Sequence, residues 1–287
     1  MRKLIELSNG YRFEYMAASG ALGFNGQGWP WEKPFKYLGL LDPSLFMVVT
    51  KTLTPNSEEG NLKWWAPWKS IKFIPNGVVN AVSLSNPGLN WWIEKIGPKV
   101  NKDRIPLVVS IFSSGAVMLI KMAKRLSKFD IVGVEINAMC PNIRVSLRER
   151  EIIEACQGIK RKVGLPVILK LAVDSEINIS SLEGLVEAIS VNSVPWRIVF
   201  PDKRSPLAHL GNGGISGKIA QPFVWDFLRR LVEKTSIPVI GPSIWDFDDI
   251  EKVRKLGAKA VSFGSVFLRY PWRPTRFVLK DKSRQKH

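Results

Sequence analysis

Pro106-Leu-Val-Val-Ser-Ile111, Ile131-Val-Gly-Val-Glu-Ile136 and Pro166-Val-Ile-Leu-Lys-Leu171 are short Val- and Ile-rich runs separated by stretches of helical periodicity. A brief β-branched run followed by an amphipathic stretch reads as a strand and its crossover helix, and its repetition reads as a parallel sheet. Five further runs complete the pattern: Phe13 to Ala17, Phe46 to Thr50, Ala188 to Asn192, Ile237 to Gly241 and Ala260 to Gly264. Eight strands with crossovers in about 250 residues fit an α/β fold of the (β/α)8 TIM barrel type, with long loops over the C-terminal face, better than an open sheet. The expectation is one barrel domain over residues 1–268 and a basic tail over 269–287, where seven Lys or Arg stand against one Asp. Helix starts are read at Ser146-Leu-Arg-Glu149 and Ser180-Ser-Leu-Glu183, both capping boxes, and at Asp246-Phe-Asp-Asp249, which puts acids at a helix N-terminus.

Composition narrows the function classes. With 287 residues, 45% hydrophobic and 23% charged, the chain can bury a full core and is not disordered as its main state. No run approaches the roughly 18 apolar residues of a membrane span, and Met1-Arg-Lys-Leu-Ile-Glu lacks the apolar core of a secretory signal, so a cytoplasmic location is expected. Two cysteines, Cys140 and Cys156, cannot build a disulfide framework, and two histidines leave little for a zinc site or a Ser/His/Asp triad. The net charge of +17 raises nucleic acid as a partner. Six of those charges sit in the last 19 residues and the rest spread along helical faces, so nucleic acid is not the expected partner.

A barrel places its active site at the C-terminal ends of its strands, and phosphate sites often follow strands seven and eight. Those ends here are Val239-Ile-Gly241-Pro-Ser243 and Ser262-Phe-Gly264-Ser265, small residues whose backbone N–H groups can approach a phosphate. Each alone is a common turn; together they favour a phosphate-bearing ligand. Strand four ends Glu135-Ile-Asn137-Ala-Met-Cys140-Pro-Asn142, carrying two carboxamides and a thiol to the barrel mouth, and Lys51 and Lys170 end strands two and five. Carboxamides that read a planar amide-rich ring, beside lysines and one proton-transfer group, suit an electron-accepting cofactor and a polar substrate. Seven of the eleven tryptophans fall within or just after the stretch Gly20 to Asn90, which reads as long loops laid over the mouth.

In this order the motifs resemble the dihydroorotate dehydrogenase family, flavoproteins of the class 1 type, from about Ala18 to Gly264. The matching segments are Ala18-Ser-Gly20 with Phe24, Lys51-Thr-Leu-Thr54 with Gly60-Asn61, and Asn80-Ala-Val-Ser-Leu-Ser-Asn86-Pro-Gly88. Asn137-Ala-Met-Cys-Pro-Asn142, Lys170, Asn192-Ser193 and Gly213-Gly-Ile-Ser-Gly217 follow. The resemblance implies FMN across the barrel mouth, with Ala18, Ser19, Gly20, Thr52, Ser216 and Gly217 near the flavin or ribityl chain and Gly241, Ser243, Gly264 and Ser265 at the phosphate. It implies Lys51 beside flavin and substrate, Lys170 at the pyrimidine end of the flavin, and Asn80, Asn137, Asn142, Asn192 and Ser193 around dihydroorotate. Cys140 is the implied base, taking the C5 proton while hydride passes from C6 to flavin N5, which gives orotate. An unperturbed thiol titrates near about 8.5, so activity is expected to rise with pH through the Cys140 titration.

The chain departs from the family at Gly241-Pro-Ser-Ile244, where relatives carry a Gly-Gly pair, and at Ser83, where relatives often have Gly. It also has a shortened lid after Asn142, and the Trp64-Trp-Ala-Pro-Trp68 run is not a family feature. A cysteine base and the lack of a hydrophobic N-terminal helix point to class 1. Two partners stand open, a second copy in a homodimer or an electron-transfer subunit carrying its own iron–sulfur centre. Two other readings compete: a diverged FMN oxidoreductase of the same barrel, of the tRNA dihydrouridine synthase kind, and a non-catalytic basic barrel that binds nucleic acid or a partner protein.

Overall fold

The computed structural model describes residues 4–138 and 147–285. Eight parallel strands form the barrel wall: β1 (Tyr15–Ala17), β2 (Met47–Val49), β3 (Leu107–Ile111), β4 (Gly133–Asn137), β5 (Val167–Leu171), β6 (Ala188–Val191), β7 (Ile240–Gly241) and β8 (Ala260–Phe263). They hydrogen-bond in the order β6-β5-β4-β3-β2-β1-β8-β7. A parallel bridge from Ile189 to Val239, with the Ile189 N–H donating to the Pro238 carbonyl at 2.9 Å, closes the ring. All eight expected strands are present, each within a few residues of its sequence-derived bounds.

The period of two along each strand sorts side chains into an outer and an inner set. Outward residues such as Val109, Ile136 and Leu169 join the main core beneath the helices, while Met16, Met47, Val108, Ile168 and Ala260 fill the lower interior. That lower layer is plugged by an antiparallel hairpin, Ile5–Glu6 with Arg12–Phe13, whose Ile5 and Phe13 pack into it. Above it the inward positions turn polar: Ser110, Glu135, Lys170, Ser190 and Ser262 are all buried. The barrel is therefore dry below and hydrogen-bonding above, which fixes where a ligand can enter.

The crossover helices follow from the same patterning. In Ala116–Leu126, the residues Ala116, Leu119, Met122, Ala123 and Leu126 share one buried face, as the i, i+3, i+4 rule requires. Helix Glu149–Lys162 packs against β5, Gln221–Lys234 precedes β7 in the chain, and Asp249–Lys255 packs against β7 and β8. Asp249 heads the last of these, and its Oδ2 accepts the backbone N–H groups of Trp245 and Asp246.

Two expectations change. The capping box read at Ser180 starts no α-helix: Ile179–Leu182 is one 3₁₀ turn whose cap is Asn178, accepting from the Ser180 N–H at 3.2 Å. Glu183, the supposed partner in the box, is drawn instead to Thr235 and Ser236 at 3.0 Å each. The capping residue Ser146 lies outside the described residues; the helix there begins at Glu149, with the Arg148 N–H donating to Glu151 at 2.9 Å. The segment expected as a basic tail is largely a helix, Arg273–Arg284, docked on the barrel. Its Asp281 accepts from the Tyr15 hydroxyl at 2.6 Å and holds Arg254 through two bonds of 3.0 and 2.7 Å.

Candidate active site

A four-stranded antiparallel sheet rises over one side of the barrel mouth, with Gly77–Asn80 paired to Gly214–Gly217 and to Ile71–Ile74. Between this sheet and the strand ends lies a cavity of about 210 Å³. Its wall brings together Ala18, Ser19 and Gly20 after β1, Lys51 and Thr52 after β2, Asn137 at the end of β4 and Lys170 in β5. Asn192 and Ser193 follow β6, Ser243 follows β7, Gly264 and Ser265 follow β8, and Asn80 and Ser216 come from the antiparallel sheet. Residues from seven strand ends thus converge on one space, although they are scattered through the chain.

Two sequence-derived candidates stand behind the wall rather than in it. A Cβ on Gly217 would meet Trp245 and Gly77, and one on Gly241 would meet Val253 of the neighbouring helix and Ala258 just after it, so each glycine allows close packing on that side. Cys140 and Asn142 lie outside the described residues. Asn86 is also absent from the wall: its side chain bonds Thr54, Leu84 and Gly88 and pins the loop that carries Ser83.

The floor of the cavity is a connected polar network. Glu135 has no solvent exposure; its two oxygens accept from Ser110 and Ser190 at 3.0 Å each, and Lys170 Nζ lies 3.2 Å from Oε1. Ser110 and Thr52 hydroxyls are 3.0 Å apart, and Asn137 Nδ2 donates to Thr52 Oγ1 at 3.2 Å. Asn137 Oδ1 is buried and finds no donor among the described residues, so the network ends in an acceptor at the cavity. A buried acceptor of this kind is costly unless a ligand supplies the missing hydrogen.

Lys51 donates from Nζ to the Ser83 carbonyl at 3.1 Å, tying the strand-two lysine to the antiparallel sheet's loop. Gly20 has φ +78°, and a Cβ there would lie 3.0 Å from the Lys51 side chain, so the glycine leaves room for that lysine's stem. Ser83, and Ser243 in the segment Gly241-Pro-Ser-Ile244, both have a glycine-like backbone, with φ of 55° and 59°.

The Trp-rich stretch read as loops over the mouth does supply part of the wall, through residues not assigned to the site from sequence. Trp29 and Trp31 stack at 5.3 Å with their planes 8° apart and line the cavity, and Trp29 Nε1 donates to the Gly20 carbonyl at 2.8 Å. Below them Glu32 is fully buried; one oxygen accepts the Trp29 N–H at 2.8 Å, and burial pushes its carboxyl up to about 8. Glu135 was also missed as a site residue, although an acid at an inward position, one diagonal step from an inward lysine on the next strand, is a readable signal.

The comparisons agree with this geometry. The family model described as dihydroorotate dehydrogenase matches residues 19–273. The catalytic subunit of dihydroorotate dehydrogenase B (NAD(+)) from Thermoanaerobacter pseudethanolicus is 29% identical over 261 residues, 87% of this chain and 82% of that protein. Dihydroorotate dehydrogenase A (fumarate) from Lactobacillus delbrueckii subsp. bulgaricus is 29% identical over 267 residues, with the same coverage of 87% and 82%. The crystal structure of a ligand-free DHODH from Eimeria tenella superposes with a TM-score of 0.66 at 16% identity, over 97% of this chain and 86% of that one. The barrel, the order of its motifs and the family match over nearly its whole length agree: this chain belongs to the dihydroorotate dehydrogenase family.

Proposed function

We propose that this protein oxidises (S)-dihydroorotate to orotate, a step of pyrimidine biosynthesis, with FMN held in the cavity at the barrel mouth. The observation that carries the reading is the buried floor Glu135–Lys170–Asn137, a fixed cation beside an acceptor that finds no donor among the described residues. That donor set fits a flavin and a pyrimidine: Lys170 offers an ammonium where negative charge collects, and Asn137 Oδ1 offers an acceptor to a ring N–H. FMN bound here supplies the hydride acceptor for C6 of dihydroorotate.

The chain's own groups do the rest. Ser243, Gly264 and Ser265, which line the cavity, hold the FMN phosphate on this reading, and Ala18, Ser19, Gly20, Thr52 and Ser216, which line it too, hold the flavin and ribityl chain. Asn80, Asn192 and Ser193, with Asn137 and Asn142, orient dihydroorotate, and Lys51 stands where substrate and flavin meet. Cys140 Sγ, as thiolate, takes the C5 proton. The stacked Trp29–Trp31 pair walls the cavity with apolar surface and limits water entry.

The test is the visible spectrum of the FMN-loaded protein, before and after anaerobic addition of dihydroorotate. Rapid bleaching in the parent and slow bleaching in Cys140→Ser are expected. A bound flavin that dihydroorotate leaves oxidised overturns the substrate assignment. A Cys140→Ser protein with the parent's rate and pH profile overturns the base.

A further inference from the structure

Asn137 lines the cavity with a carboxamide, a group whose two orientations have nearly the same shape and opposite hydrogen-bonding character. The residues behind it decide between them. The chain of bonds starts at Glu135, which is wholly buried and is the register partner of Ser110 on the neighbouring strand β3. A carboxylate beside Lys170 only accepts, and the Ser110 hydroxyl donates to its Oε1 at 3.0 Å. Serine has one hydroxyl hydrogen, so in the 3.0 Å contact between Ser110 and Thr52 the serine accepts and Thr52 donates. Ser19 gives its own hydrogen to the Thr50 carbonyl at 3.0 Å and stands farther from Thr52, at 3.4 Å. Thr52 Oγ1 is left with lone pairs alone for Asn137, and it takes the Nδ2 donor at 3.2 Å. The reversed amide would set two acceptors, Oδ1 and Oγ1, against each other at that distance.

With Nδ2 committed, Oδ1 is the atom that Asn137 leaves to a ligand, and it is buried with no donor among the described residues. We propose that Ser110 and Thr52, polarised by Glu135, are positioning residues that hold the Asn137 carboxamide with its acceptor toward the ligand, so that the site selects a planar ring presenting an N–H at that point. A site built to pair with an N–H rejects an analogue that lacks it, because its own buried acceptor then stays unpaired. Ser110 has no solvent exposure and is not among the residues that line the cavity, so it reaches a ligand only through its bonded neighbours. One route runs through Thr52 to Asn137, where donor or acceptor is chosen. The other runs through Glu135 to Lys170, which supplies charge and no such choice. Orotate carries two ring N–H groups, and the proposal rests on the reading of the cavity as the dihydroorotate site.

The experiment titrates the flavin spectrum of the FMN-loaded protein with orotate, 1-methylorotate and 3-methylorotate, in which a methyl group replaces one ring N–H or the other. In the parent, one of the two methylated ligands should bind about tenfold or more weakly than orotate. In Ser110→Ala the Thr52 hydrogen is released and both amide orientations are populated, so that penalty should shrink by about threefold to tenfold while the other methylated ligand keeps its parent ratio to orotate. Thr52→Val should do the same, and Thr52→Ser, which retains the hydroxyl, should restore the parent's ratios. Equal weakening of all three ligands in Ser110→Ala overturns the proposal, since loosened packing or an altered Lys170 charge acts on each alike. So does a parent that binds the three ligands equally, or a Thr52→Ser protein that behaves like Thr52→Val, which assigns the effect to packing of the methyl group. Parent ratios kept in every variant overturn the relay and leave the substrate reading standing, whereas a parent flavin that orotate does not perturb overturns that reading and the proposal with it.

Discussion

Lys170 Nζ lies 3.2 Å from Glu135 Oε1, and the carboxylate that holds it is wholly buried beneath the cavity on the adjacent strand. Two serine hydroxyls donate to the same carboxylate, so the acid belongs to a network, not an isolated pair. Removing one partner leaves a buried charge uncompensated. Glu135→Gln is expected to lower stability by about 3–5 kcal/mol, and the double variant Glu135→Gln/Lys170→Met to recover much of that loss. Urea unfolding of the four proteins of the cycle measures it; additive single effects would show that the two residues do not interact.

The antiparallel sheet that carries Asn80 depends on a glycine. Gly213 has φ +81°, and a Cβ there would stand 2.5 Å from the Asn80 carbonyl oxygen, so side-chain strain and a backbone clash coincide. Gly213→Ala should cost roughly 1–3 kcal/mol and weaken substrate binding more than it slows the chemical step, because it displaces Asn80. Thermal unfolding and a KM-against-kcat comparison read the two effects separately.

The opposite change is expected at Ser83, whose φ of 55° is one a glycine adopts without strain. Its contact with Lys51 runs through the backbone carbonyl, which a glycine retains. Ser83→Gly should therefore keep activity and hold stability within about 1 kcal/mol of the parent, with relieved strain offset by greater freedom of the unfolded chain. A large loss on thermal unfolding would mean that the hydroxyl, not the backbone, matters there.

The barrel was legible because each strand is a short β-branched run whose alternate residues face inward, a pattern that survives without knowledge of partners. Most of the cavity wall was legible for a related reason: strand-end residues of a barrel converge whatever their separation in sequence. What escaped were features set by tertiary partners. Glu183 looks like a capping residue until Thr235 and Ser236 claim it, and Asp281 looks like a lone acid in a basic tail until Tyr15 and Arg254 surround it. For Gly217 and Gly241 the sequence could not show the close packing of Trp245 and Val253 against them, because a glycine near a site has two causes, close approach of a ligand and close approach of a neighbouring side chain. Ser83 and Ser243 do not by themselves signal their left-handed backbone, since serine is not selected for it; only the glycine common in relatives at Ser83 hints at it.

Glu32 gives a pH dependence with a definite sign. Burial raises its carboxyl from 4.5 to about 8, against the lowering effect of the Trp29 N–H, and its second oxygen is buried without a donor among the described residues. In the unfolded chain the group ionises near its ordinary value, so between about 4.5 and 8 the folded protein holds a proton that the unfolded one has released. Stability then falls as pH rises through that window and levels above it, by an amount on the order of a few kcal/mol. Glu32→Gln removes the titration while keeping an acceptor for the Trp29 N–H, so its stability should be flatter from pH 5 to 8 and exceed the parent's at the upper end. Because Glu32 bonds the backbone N–H of Trp29, which stacks on Trp31, the parent's tryptophan fluorescence should change over the same range and the variant's should not. Parallel pH profiles for parent and variant would place the titration on another group.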